Sequence, residues 1–178
     1  MENQLAIYAS AIVLGIVSSL VASAIWLYFF ARLRPNIEIS PFISIGENET
    51  GKYYVIKLVN KTRRPIINIR CRLNLVQPKS IPGGLIYSNR GIKLEREEVF
   101  MIDKFDDRDE DAKYAWRFVC REDLETDWNE KQGAYLIFRV LATDSLSGLS
   151  KYFAMRFFTK SDCLLQGSHG YGKDVTVK

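Results

Sequence analysis

From Leu5 to Ala31 the chain reads LAIYASAIVLGIVSSLVASAIWLYFFA, without one ionisable charge at neutral pH. As a helix, about 27 residues rise roughly 40 Å, and the hydrocarbon core of a bilayer is about 30 Å thick. That length crosses a membrane with tilt or a turn to spare. Everything after Arg32 is polar, patterned as strands, and large enough for one domain with its own core. The expected organisation is a transmembrane anchor and its exit over 1–34, a β domain over 35–160 and a Gly-rich tail over 161–178.

Charge orients the anchor. Only the α-amino group and Glu2 precede the apolar run, whereas Arg32 and Arg34 follow it directly. Basic residues stay on the cytoplasmic side, so the N-terminus is expected outside and the β domain in the cytoplasm. Trp26, Leu27, Tyr28, Phe29 and Phe30 form an aromatic belt beside Arg32 and Arg34, and these interface anchors fix the depth of the helix. The rival reading is a signal peptide cleaved at Ala22-Ser23-Ala24. It lacks a basic leading region, and the apolar run continues past the site. Export would give meaning to the Asn-x-Thr sequences at Asn48 and Asn60, and would let Cys71 and Cys120 pair. Three cysteines without a CxxC motif fit a reducing compartment instead.

Small residues within the helix are ordered. Ala11, Gly15, Ser19 and Ser23 recur at every fourth position, and Ala11, Gly15, Ser18 and Ala22 fit a heptad seam. Either face lets neighbouring helices approach closely, which is how helices associate in lipid. The hydroxyls of Ser10, Ser18, Ser19 and Ser23 must bond back to the helix, or meet a partner or water. Ala11, Gly15, Ser18, Ser19, Ala22 and Ser23 are therefore candidates for helix packing or for lining a pore.

Pro35 ends the helix. Ile37, Ile39, Ile43 and Ile45 then alternate with polar residues, as do Tyr54, Ile56 and Leu58 after a turn over 46–51. In the next strand Ile67, Ile69, Cys71, Leu73 and Leu75 point one way, and Asn68, Arg70, Arg72 and Asn74 the other. The segment 77–91, with Pro78, Pro82, Gly83 and Gly84, reads as a long loop, and 92–102 as a strand. The acidic run 103–111 reads as a solvated loop, and Tyr114, Trp116, Phe118 and Cys120 as an inward row. A polar connector over 123–132 precedes two strands, 134–143 and 151–159, around a turn at 144–150, and 174–177 reads as a short last strand. About seven strands with such turns predict an immunoglobulin-like or related β-sandwich.

No enzyme site emerges. The chain has 1 histidine, which argues against a histidine-based metal site or catalytic triad. No arginine precedes His169 at the spacing of a HEPN-type ribonuclease pair, and Gly167-Ser168-His169-Gly170 lacks the spacing of a nucleophile elbow. His169 therefore reads as a tail residue, and the cysteines as core hydrophobes. No metal, cofactor or small-molecule substrate is expected. One basic cluster stands out: Lys61, Arg63, Arg64, Arg70 and Arg72, with no acid among them. Near a membrane such a patch suits anionic headgroups, and it is also a candidate for RNA, although exposed rows of aromatic residues are lacking.

The layout as a whole is a single outward-starting helix lined with small residues, an Arg32-Leu33-Arg34-Pro35 exit, and one β-rich domain without catalytic residues. In this it resembles the small membrane accessory proteins of type VI-B CRISPR systems. The resemblance implies a ring-shaped, high-order homo-oligomeric pore in a bacterial inner membrane that supports RNA-triggered antiphage defence. It makes an effector protein or RNA a candidate partner. The alternative is a membrane-tethered adaptor whose sandwich binds a cytoplasmic protein through a sheet edge or loop.

Overall fold

The computed structural model describes residues 2–49, 51–129 and 133–178. The chain divides after Arg34 into two compact units. The first is helix α1, Glu2–Arg32. Its segment Ser10–Arg32 has a mean hydropathy of 2.2 and none of it is buried, so it is long and apolar enough to cross a bilayer. The Leu33 N–H bonds the Phe30 carbonyl at 2.9 Å to close the last turn, and Pro35 supplies no further donor.

The second unit is a β-sandwich. Among the described residues it has nine strands: β1 Ile37–Asn48, β2 Gly51–Asn60, β3 Ile66–Ile81, β4 Gly84–Ile92, β5 Glu98–Ile102, β6 Ala115–Cys120, β7 Tyr135–Asp144, β8 Ser150–Phe157 and β9 Leu164–Gln166. One sheet runs β6-β2-β1-β9 and the other β4-β3-β7-β8, with β5 also paired to β3. Only β1 and β9 pair in parallel. Isoleucines 37, 39, 43 and 45 face the core with Tyr54, Ile56 and Leu58, and meet Leu73, Leu75, Leu136, Phe138 and Val140 of the other sheet. Phe118 and Phe138 touch across the two sheets, with ring centroids 5.5 Å apart.

Several segments depart from the sequence pattern, each for a local reason. In β3 the inward residue is Ile66, not Ile67, because Asn68 takes a positive φ of 51° and the register to β7 shifts there. One inserted residue flips the alternation. The expected loop over 77–91 is instead the outer half of β3 and all of β4, a hairpin turning at Pro82-Gly83. Pro78 fits because β3 pairs with β7 no further than Val76, so its missing N–H lies on an open edge. The expected strand over 92–102 is broken: β4 ends at Ile92, Leu94 bridges to Cys120, and β5 begins at Glu98. The connector over 123–132 contains the short helix α2, Leu124–Asp127, capped by the Asp123 carboxylate, which accepts from the Glu125 and Thr126 N–H groups. Leu124 and Trp128 from this connector are buried in the core, and the Trp128 indole donates to the Ala134 carbonyl at 2.7 Å. Positions 130–132 of that connector lie outside the described residues. The acidic run 103–111 is a loop, stitched by ion pairs from Lys113 to Asp111 and from Lys173 to Asp107.

The turn after β7 depends on a buried charge. Asp144 is 0% exposed, and its carboxylate accepts from Arg64 Nε at 2.8 Å and from the Leu146 and Ser147 N–H groups. Burial pushes this carboxyl up, but the Ser147 amide, the Arg64 guanidinium and the Leu146 amide outweigh it, and the group stays below the ordinary aspartate value. The stabilisation is therefore present above the unfolded value of about 3.9 and is lost as pH falls through the lower folded value. Asp144→Ala should cost about 3 kcal/mol by stranding Arg64 and two amides, and Asp144→Asn less, since an amide oxygen still accepts from the turn. Denaturant titration of the three forms at pH 7 checks the order.

Candidate functional site

The helix presents its sequence-predicted residues to the surroundings. Ala11, Gly15, Ser18, Ser19, Ala22 and Ser23 are all exposed. A methyl group added at Gly15 would meet nothing within 4 Å, so no contact within this chain requires glycine there. The hydroxyls divide into two sets. Ser10 bonds back to the Ile7 carbonyl at 2.9 Å and Ser18 to the Gly15 carbonyl at 3.0 Å. Ser19 and Ser23 have no partner among the described residues. At the lower end Trp26 stacks on Phe29 at 6.0 Å and meets Phe30 edge-on at 4.9 Å. The Arg32 guanidinium lies 4.8 Å from the centroid of the Tyr28 ring and donates to its hydroxyl, while Arg34 is exposed.

The basic cluster is not one surface. Lys61 pairs with Glu38 at 2.7 Å and lies over the Phe105 ring. Arg64 is committed to buried Asp144. Arg63 is exposed in the corner after β2. Arg70 and Arg72 do share the outward face of β3, and Arg70 meets Glu98 at 3.4 Å. That face also receives Arg139 from β7, directly opposite Arg72, and Arg156 from β8, opposite Ile137. Neither was singled out from the sequence. The available signal was period-2 alternation, since Arg139 lies between inward Phe138 and Val140, and Arg156 lies beside inward Phe157.

Asn60 is 0% exposed and saturated: its amide donates to the Arg64 and Asp103 carbonyls at 2.8 Å, and its oxygen accepts from Thr62. It is a structural corner, not a glycan acceptor. Cys71 and Cys120 are free thiols in the core, and burial pushes both pKa values up, that of Cys120 to about 11. Among the described residues no cluster of His, Cys, Asp and Glu could hold a metal ion.

The expected Gly-rich tail is part of the domain, and His169 is not a tail residue. After helix α3, Lys160–Cys163, the chain pairs along β1 as β9 and then lies as a strap, 167–178, over the outer face of β1 and β2. Positions 174–177 form no strand; Val177 makes an isolated bridge to His169. His169 is 4% exposed, with Nδ1 3.1 Å from Ser44 Oγ and Nε2 3.1 Å from Ser40 Oγ and 3.2 Å from the Phe42 carbonyl. The carbonyl fixes the tautomer: Nε2–H donates to Phe42 and Nδ1 accepts from the Ser44 hydroxyl. Lys57, 2% exposed on β2, donates to the Gly170 and Asp174 carbonyls at 2.6 and 2.7 Å. Burial, with Arg117 and Lys61 nearby, lowers its pKa to about 8 against the pull of Asp174. Gly170 is needed because a Cβ there would stand 2.2 Å from the Asp174 carboxylate. No sequence pattern marks Lys57, which occupies an alternate position where lysine ordinarily meets water.

No protein-family model matches the chain, and no curated protein matches it. Among solved structures, the X-ray structure of Northeast Structural Genomics Consortium target SoR45 is similar, with a TM-score of 0.34 and 11% identity over 77% of this chain and 95% of that one.

Burial lowers the pKa of His169, and Lys57 and Arg117 lower it further, against the Phe42 carbonyl and Asp174. The unfolded chain therefore binds more protons between the folded value and about 6.5, and stability falls as pH drops through that window. Because there is 1 histidine, its proton resonances are unambiguous. NMR titration should place its midpoint below 6.5, and His169→Gln should flatten the fall in thermal midpoint between pH 7 and pH 5.

Proposed function

We propose that this chain is a subunit of a membrane pore. The carrying observation is the state of the serines on α1: Ser19 and Ser23 are exposed without a partner, whereas Ser18 is satisfied by its own helix. A hydroxyl facing hydrocarbon that does not bond back to its own helix needs a second helix or water, and a ring of helices around an aqueous path supplies both. A single helix encloses nothing, so the reading requires several copies. Of the two small-residue faces, the one through Ala11, Gly15, Ser19 and Ser23 retains this demand, and the heptad seam through Ser18 does not. The N-terminus is outside and the sandwich cytoplasmic, with Trp26, Tyr28, Arg32 and Arg34 at the inner interface. The resemblance to the type VI-B CRISPR accessory proteins supports reading such a pore as one of a bacterial inner membrane, permeabilising or depolarising the cell in RNA-triggered antiphage defence.

The adaptor reading has one observation in its favour. The β3–β4 hairpin carries exposed Ile81 at the end of β3 and Leu85, Ile86 and Tyr87 on the edge strand β4, a surface suited to a protein partner.

Mass determination of the detergent-solubilised full-length chain separates the two. A pore requires a high-order oligomer, and Gly15→Leu with Ser19→Leu should dissolve it and abolish membrane depolarisation in cells. A monomer, or a double variant that stays oligomeric and active, removes the pore reading. Replacing the whole helix by an unrelated anchor should abolish a pore and preserve an adaptor.

A further inference from the structure

The outward face of the β3-β7-β8 sheet is arranged in rows. Tyr152, Leu141 and Arg70 stand side by side in one, Ala154, Arg139 and Arg72 in the next, and Arg156, Ile137 and Asn74 in a third. Tyr135 and Val76 begin a fourth, where Phe158 lies 5.5 Å from the Tyr135 ring. Four arginines thus occupy three adjacent rows, with Tyr152 in the first of them and an aromatic pair at the fourth. Tyr152 is 56% and Phe158 60% exposed. Ile137 is only 4% exposed although it points outward, so the surrounding side chains lie over it.

This centre is not arranged for the stability of the domain. Arg72 and Arg139 are direct cross-strand partners, and like charges so placed destabilise a sheet. The internal relief is one bond, from Arg139 Nη1 to Asn74 Oδ1 at 2.9 Å. Arg72, Arg139 and Arg156 have no ion pair with any acid among the described residues. Acids stand at the β5 margin: Glu98 pairs with Arg70, and Glu97 and Glu122 share with Arg72 and Lys93 a cleft of about 360 Å³.

We infer that this face binds single-stranded nucleic acid. Arginines alternate along β3 at about 7 Å and recur across strands at about 5 Å, which offers a phosphodiester chain several guanidinium forks at once. All four basic residues are arginine, the side chain that grips phosphate in a bidentate manner and stacks on planar bases. Exposed aromatic rings in the first and fourth rows supply stacking platforms that a duplex, with its bases already stacked, does not use. An anionic membrane would meet the same charges, so headgroup binding is the competing outcome of the test. The inference is independent of the pore reading, since it requires nothing of α1.

The test uses the full-length chain in phosphatidylcholine nanodiscs and fluorescein-labelled oligouridylate, followed by anisotropy over a salt series. Binding should weaken steeply with salt, and Arg72→Ala or Arg139→Ala should each weaken it severalfold and reduce the log–log salt slope by about 0.7. Tyr152→Ala should weaken binding about tenfold and leave the slope unchanged. Arg63→Ala, off the face, should change neither. Circular dichroism and thermal midpoints establish that each variant is folded. Calorimetric titration of soluble short-chain phosphatidylserine into the same phosphatidylcholine nanodiscs, without oligonucleotide, reports headgroup binding by the arginines. The inference is overturned by any of three results: no salt-sensitive binding of the oligonucleotide, binding that survives Arg72→Ala with Arg139→Ala, or arginine-dependent association with phosphatidylserine alone.

Discussion

Strand β2 loses water from both faces, and the architecture of the domain follows from covering them. One face packs on the second sheet through Tyr54, Ile56 and Leu58. The other would expose Val55, Lys57 and Val59, yet all three are buried. A buried ammonium is costly unless its donors are met, and here two strap carbonyls meet Lys57. The strap in turn needs Gly170 to pass close to Asp174, and His169 to bridge Ser40 and Ser44. What looks in the sequence like a flexible ending is a third layer held by polar groups, and it makes β2 a central strand in depth as well as in order.

Legibility followed the physics of pattern. Where polar residues alternate with apolar ones, the inward row reads correctly: Leu73 and Leu75 in β3, with wet residues between, and Ile43 and Ile45 in β1, where the polar Ser44 between them lies under the strap. Alternation fails where a single residue changes the count, as at Asn68, whose positive φ turns Ile66 inward and Ile67 outward. It fails again where a breaker residue sits on an edge that does not need its N–H, as at Pro78. The polar look of 123–132 concealed Leu124 and Trp128, because two isolated apolar residues in a short connector have no period to betray them. The basic cluster shows the limit of proximity in sequence. Lys61 and Arg64 are neighbours of Arg70 in the chain, but Arg64 serves the fold by neutralising Asp144, and the residues that share a surface with Arg72 come from β7 and β8.

The two Arg-rich settings make a useful contrast. Arg64 is partly buried, with an acid at 2.8 Å, and removing either partner strands the other. Arg72 and Arg139 are placed opposite one another, with an amide oxygen in place of an acid. The first arrangement adds stability and the second spends it. Local choices in a folded chain generally agree with the fold, and the places where they do not are where function is to be sought.

Helix α1 is apolar enough to cross a bilayer, and there the same logic would apply in a different solvent. Leucine, isoleucine and valine suit lipid, and Ser10 and Ser18 bond to the preceding turn. Ser19 and Ser23 do not, and Gly15 forgoes a side chain with no internal contact to require it. The three positions lie on one face with Ala11. A face of small and unpaired groups is poor at dissolving in hydrocarbon and good at receiving another helix, which is the physical ground for the proposed assembly.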